Sequence, residues 1–154
     1  MPKIDIARSP RGSGTRYPPP FDAPCKARAW CKLGEAAGLT QFGVNLVTLP
    51  PGTWSSQRHW HSHEDEFVYL LDGEVVLITD RGEEPMRPGD CAGFKAGEKD
   101  GHHLQNRGSR DATLLVVGSR HPEDGGVYPD IDMVFSGNRY EGRGGYRRKD
   151  GTPY

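Results

Sequence analysis

Between residues 41 and 120 the chain is a succession of short β-rich runs, each closed by a turn of Gly, Pro or Asp, and that spacing leaves few folds open. Phe42, Val44, Leu46 and Thr48 alternate with Gly43, Asn45 and Val47 up to Pro50-Pro51-Gly52, the two-residue period of a strand. Residues 57–61, 66–71 and 74–79 read the same way. The last two are joined by Asp72-Gly73, a hairpin signal in which both central residues take positive φ. Asp80-Arg81-Gly82 leads into 83–87, Pro88-Gly89-Asp90 turns into 91–95, and the final runs are 103–106 and Ala112–Ser119. About seven or eight short strands with turns roughly every eight to twelve residues predict an all-β antiparallel architecture, closed or two-sheeted.

The flanks read differently. Residues 1–40 form a predicted extended N-terminal arm, in which Tyr17-Pro18-Pro19-Pro20-Phe21 enforces a polyproline-like path. The arm either wraps its own domain or reaches a partner subunit. Residues 33–39 (LGEAAGL) support one or two helical turns at most. Residues 121–154 read as a C-terminal tail packed on the barrel, mostly irregular over the last twenty, with an amphipathic patch at Ile131, Met133, Val134 and Phe135.

Length and charge bound the function. A chain of 154 residues supports one domain with one sizeable core. Twenty Lys+Arg against 21 Asp+Glu give a net charge of -1, which argues against nucleic-acid or membrane-surface partners. Arg143, Arg147, Arg148 and Lys149 are read as solvated charge in the tail, and no helix-turn-helix signal precedes the barrel. Cys25, Cys31 and Cys91 are odd in number and lack CxxC spacing, as expected of a reducing compartment. The first residues lack an apolar signal-peptide core, and no apolar run has the length of a membrane span. A cytoplasmic protein is expected.

The informative stretch is 52–73. His59 and His61 stand two apart on a strand, so both imidazoles project from one face. Glu66 opens the next strand and can reach the same point from a neighbour. Imidazole with carboxylate is a ligand set for Zn, Fe, Mn, Ni or Cu, and a fourth donor is expected from His102 or His103 on a distant strand. His63 shares the parity of His59 and His61 but lies in the connection, so it is expected on the rim. Glu64 and Asp65 read as turn charges, Trp60 as pointing away from the metal, and Tyr69 as packing between sheets. Val68, Leu70, Phe94 and Leu104 are expected to line the barrel, whose default use is core. His121 follows the last strand without a motif.

These residues resemble the cupin superfamily. Its first motif, Gly, HxH, Glu, Gly, is met by Gly52, His59, His61, Glu66 and Gly73, with one extra residue before His59. Its second is met by Gly89, Gly97, His102 and Asn106. Lys95 stands where Pro is usual, and the gap from Gly97 to His102 is two residues longer. The three-residue spacing to Asn106 favours His102 over His103. The resemblance spans about residues 40–120 and implies a double-stranded β-helix, a jelly-roll cupin barrel, over 41–120. It implies one divalent metal ion per chain, Zn, Fe, Mn or Ni, on His59, His61, Glu66 and His102. "RHWHSHEDEFVYLL", "PGDCAGF" and "KDGTPY" resemble small single-domain bacterial cupins that carry a sugar-phosphate isomerase-like label. A homodimer is implied by the same analogy, with the arm and an edge strand supplying contacts.

The expected function is a metal-dependent enzyme acting on a small oxygenated metabolite, with a sugar or sugar-phosphate isomerase or epimerase preferred and Glu66 or His63 as base. The alternatives are a dioxygenase using a redox metal and O₂, or a non-catalytic small-molecule-binding barrel. A sugar-phosphate enzyme needs an anion site, for which Arg58, Lys95, Lys99 and Arg107 are the cations near the motifs.

Overall fold

The computed structural model describes residues 3–136 and 145–154. Its strands are β1 (Arg11–Ser13), β2 (Ala29–Lys32), β3 (Phe42–Leu49), β4 (Trp60–His61), β5 (Glu66–Asp72), β6 (Val75–Thr79), β7 (Gly82–Met86), β8 (Cys91–Phe94), β9 (His103–Gln105), β10 (Ala112–Ser119), β11 (Gly125–Tyr128), β12 (Met133–Ser136) and β13 (Gly145–Arg147). One helical turn, α1 (Leu33–Ala36), follows β2, as the Gly-interrupted LGEAAGL allows. All pairings are antiparallel. They build a six-stranded sheet, β1-β2-β3-β10-β5-β8, a four-stranded sheet, β13-β12-β11-β4, and a three-stranded sheet, β7-β6-β9.

Alternation sets what faces inward. Val68 on β5 opposes Val116 and Leu70 opposes Leu114, while Val47 and Asn45 on β3 continue the same rows. Leu49, Leu70, Leu77, Leu104 and Leu114 are buried between the sheets. Each such side chain contributes about 1.5–3 kcal/mol on leaving water. A second cluster, Tyr17, Cys25, Tyr128, Met133 and Phe135, joins the arm to β11 and β12. Asn106, 1% exposed, donates through Nδ2 to the carbonyls of Leu49 (2.6 Å) and Arg110 (2.8 Å), tying the end of β3 to the loop before β10.

Three expectations are corrected. Asp72-Gly73 is a corner, not a hairpin: β5 lies in the six-stranded sheet and β6 in the three-stranded one. Only Gly73 takes positive φ (82°), and a Cβ there would stand 2.5 Å from the Ala112 Cα, so close approach fixes the residue. The Asp80-Arg81 turn does close a hairpin, with Thr79 opposite Gly82. The arm is not merely extended, because β1 and β2 add to the edge at β3 and Tyr17 is buried among its own chain's aromatics. The C-terminal tail, 121–154, is not irregular throughout: β11, β12 and β13 form a sheet with β4, while 148–154 runs without a strand. Residues 137–144, Arg143 among them, lie outside the described residues. No helix among those described is long and apolar enough to cross a membrane.

Candidate metal centre

Four side chains converge where β4, β5 and the approach to β9 meet. His59 and His102 form an antiparallel bridge and exchange both backbone hydrogen bonds (3.2 and 2.9 Å), which puts their imidazoles on one face. His61, two residues on, shares that face. Glu66 arrives from β5, held between Phe94 on β8 and Gly118 on β10. Its Oε2 lies 2.8 Å from His102 Nε2, 3.4 Å from His61 Nε2 and 3.6 Å from His59 Nε2. The Nε2 atoms of His59 and His61 are 3.1 Å apart. Donors at about 2.1 Å from one ion stand roughly 3.0 Å apart at right angles and about 3.4 Å apart in a tetrahedron, so the separations among His59, His61 and Glu66 suit a shared ion, with His102 joined to them through Glu66.

The proton inventory points the same way. His59 Nδ1 is 2.9 Å from the Gln57 carbonyl, which only accepts, and His61 Nδ1 is 2.8 Å from Asp124 Oδ2. Each Nδ1 therefore carries hydrogen, assigned from the network, and each neutral ring turns an Nε2 lone pair inward. Two lone pairs 3.1 Å apart beside a carboxylate repel unless a cation sits among them. A metal ion or a proton can fill that role. The pKa directions describe the proton's version. Burial pulls the His61 imidazole down, but hydrogen bonds to Asp124 and Glu66 outweigh it and raise it from 6.5 to about 9. Burial holds His59 below 6.5, only partly offset by Glu66. Burial would raise Glu66, yet hydrogen bonds from His102, His59 and His61 hold it well below the usual carboxylate range. Phe94 stacks flat on His102, ring centroids 3.6 Å apart, and fixes its plane.

His103 goes elsewhere. Its Nδ1 donates to the Ser56 carbonyl (2.9 Å), Gln105 Nε2 donates to its Nε2 (3.2 Å), and its ring meets the edge of Trp54. His63 is exposed, stacks on His121 (4.9 Å) and hydrogen-bonds Ser62, so it stands on the rim, away from the other three imidazoles. Trp60 alternates away from the cluster, with Lys99 over its ring. Two readings change. Tyr69 is not between sheets: it faces outward, 37% exposed. Glu64 is not a turn charge: it is 4% exposed, accepts from the His121 amide (2.9 Å) and lies 3.9 Å from His61 Nδ1.

Asp124 is the residue that sequence reasoning missed. It is 1% exposed, orients His61 through Oδ2 and accepts the His63 amide through Oδ1 (3.0 Å). An imidazole ligand backed by a carboxylate has its tautomer fixed and its basicity raised. Its sequence signal is faint, one Asp before Gly125-Gly126 in a Gly- and Asp-rich segment.

The cluster is open to solvent on two sides. A cavity of about 900 Å³ runs from His59, His61, Glu66 and His102 to the inner faces of β3 and β10 and to the N-terminal arm. A smaller one, about 290 Å³, reaches His61 and His102 past Phe94 and Lys95. Glu64 lines both. Of the cations expected at an anion site, Arg58 pairs with Asp80 and Asp130 and Arg107 with Glu83, so those two are engaged elsewhere.

The cupin domain profile matches residues 45–118. A sugar phosphate isomerase from a cupin superfamily of Silicibacter pomeroyi superposes with a TM-score of 0.94 at 46% identity, covering 99% of this chain and 96% of that one. A candidate sugar phosphate isomerase of Acidithiobacillus ferrooxidans superposes at 0.75 with 30% identity, over 83% of this chain and 80% of that one. The oxalate-binding protein of Thermotoga maritima is 35% identical over 71 residues, 46% of this chain and 56% of that protein. The chain spans about half the length of the curated relatives it matches. With its antiparallel barrel, its two motifs and a near-full-length structural relative, this chain is a member of the cupin superfamily.

Proposed function

We propose that this cupin is a metal-dependent isomerase or epimerase of a sugar or sugar phosphate, with His59, His61, Glu66 and His102 holding one divalent ion, Zn, Fe, Mn or Ni. The observation that carries the reading is the convergence of His59, His61 and Glu66, with His102 against Glu66, in a cavity large enough for such a metabolite. The names of the two sugar phosphate isomerase relatives support the reaction class. A bound divalent ion supplies Lewis acidity, polarising a substrate carbonyl and steadying negative charge on its oxygen.

The chain's own groups supply orientation and proton movement. Asp124 keeps His61 Nδ1 protonated and its Nε2 turned inward, and the Gln57 carbonyl does the same for His59. Isomerisation removes a proton from the carbon beside the carbonyl and returns it to the neighbouring carbon, so a base must reach the cavity. Glu66 reaches it but lies against three imidazoles, and Glu64, buried on the same wall, is the second carboxylate within reach. His63 on the rim would act only on a substrate extending outward. The wide cavity, lined by polar, cationic and apolar side chains together rather than forming a narrow apolar slot, favours isomerisation over dioxygenation. We assign the chain a reducing, cytoplasmic setting, in keeping with its free cysteines, and a homodimeric state.

Elemental analysis of the full-length protein tests the centre. His61→Ala is expected to lose most of the bound metal and His63→Ala to retain it. Equal metal in wild type and His61→Ala refutes the assignment. Aldose–ketose interconversion across a panel of sugars and sugar phosphates tests the reaction, and its absence with metal bound refutes the isomerase reading.

A further inference from the structure

The large cavity has a second pole, distant in sequence from the metal motifs. Where the arm meets the barrel, Arg16 and Arg28 line it beside Tyr17 and Trp30. Lys32 also lines it but is neutralised by Glu35 at 2.7 Å. Arg28 is different. Its Nη atoms donate to backbone carbonyls, those of Ser55 and of Gly14 (3.3 Å), and its Nε is buried with no partner. Among the described residues, no carboxylate lies within ion-pair distance of Arg28 or Arg16. Carbonyl oxygens satisfy hydrogens but leave the charge uncompensated, and a buried guanidinium N–H without an acceptor is costly. Arg28 does clamp the arm to the segment before β4, but two carbonyl bonds account for only part of a five-donor fork.

We infer that Arg28 and Arg16 form an anion subsite for the phosphate of a phosphomonoester whose other end lies at the His/Glu cluster. The inference rests on the isomerase reading and narrows it from sugars to sugar phosphates. A phosphate dianion offers several acceptor oxygens to planar forks, the geometry guanidinium groups match. One cavity contains both poles, so a single extended metabolite can occupy both. Of the cations nearer the motifs, Arg58 and Arg107 already have carboxylates, and Lys95 lines the smaller cavity instead.

Inorganic phosphate is the first probe, titrated calorimetrically into full-length His61→Ala, where a depleted metal centre cannot hold it. Binding is expected there, about tenfold weaker after Arg28→Gln and several-fold weaker after Arg16→Ala, on the scale of one or two charge-assisted hydrogen bonds. Arg16 is exposed and makes no contact that folding needs among the described residues, so its variant stays informative if Arg28→Gln loosens the arm. The second probe set is fructose 6-phosphate and fructose with metal-loaded wild type. The phosphorylated sugar is expected to bind at least tenfold tighter than fructose, with the margin lost in Arg28→Gln. No phosphate binding to His61→Ala, or equal binding by both arginine variants and their parent, overturns the subsite. Phosphate bound while fructose 6-phosphate gains nothing over fructose overturns its assignment to a phosphomonoester. Failure of the metal reading appears separately, as metal retained by His61→Ala.

Discussion

His61 stands between two carboxylates, Asp124 at Nδ1 and Glu66 at Nε2, so this imidazole is the one whose Nε2 proton the proposed ion would displace. In metal-free protein its folded pKa of about 9 exceeds the ordinary 6.5. The folded state then binds the proton more tightly than the unfolded chain. That stabilisation is fully present below pH 6.5 and is lost as pH rises through about 9. His59 and His103 work in the opposite sense, because burial lowers both: unfolding lets them take protons, so stability falls as pH drops below 6.5. Glu66, held well below its ordinary 4.5, adds stability that is lost only in stronger acid. The melting temperature of chelator-stripped protein is therefore expected to peak near pH 6.5, falling toward pH 9 and toward pH 5. Metal loading should flatten the alkaline limb, because the ion takes the proton's place. Differential scanning calorimetry across this range checks it, and a stripped protein whose stability rises from pH 6.5 to 9 contradicts it.

Among the elements, β11 bears most directly on the centre, since Gly126 pairs with His61 and Asp124 immediately precedes the strand. A Cβ at Gly126 would lie 2.3 Å from the Trp60 carbonyl oxygen and 2.3 Å from Phe135 Cε1, so backbone and ring must both move. Gly126→Ala is expected to cost about 1–3 kcal/mol and to displace β4, lowering bound metal as well as melting temperature. Gly145→Ala, where a Cβ meets nothing, is the control. Matching values for the two variants would show that β4 tolerates the shift. The same strand marks where the sequence stops being readable. Residues 42–49 and 112–119 announce strands because one face is apolar, and the alternation is local information. Gly125, Gly126 and the short β1 and β2 carry no such period; they are strands because distant partners exist, His61 for Gly126 and Leu46 for Cys31. The site divides likewise. His59, His61 and Glu66 follow from parity and spacing, whereas Asp124, Glu64 and Arg28 depend on partners 63, 57 and 27 residues away. The Asp72-Gly73 corner misled for a related reason: a turn signal reports that the chain bends, not which sheet receives it.

At the scale of the molecule, the six-stranded sheet has one face committed to the cavity and an outer face that carries exposed apolar side chains. Phe67 opposes Val117 and then Val44, and Tyr69 opposes Leu115 and then Leu46, so two apolar rows cross β5, β10 and β3 on the outer face. Phe42, Phe67, Tyr69 and Leu71 are 37–45% exposed. A contiguous apolar surface of this kind on a chain of net charge -1 favours self-association, because little like-charge repulsion opposes it. A second copy related by a twofold axis would present the same rows and cover them, burying about 800 Å² per subunit for an interface of standard size. The arm is a poorer candidate for this contact than expected, since Tyr17 is packed within its own chain. Light scattering after size exclusion is expected to give twice the 17.0 kDa chain mass. Phe67→Lys with Tyr69→Lys should return it to one chain, because both lysines would face each other across the axis. Metal content should be unchanged, because Glu66 and Val68 occupy the opposite face of β5. A wild type that runs as a monomer ends the homodimer reading, and a variant that remains dimeric moves the interface off this sheet.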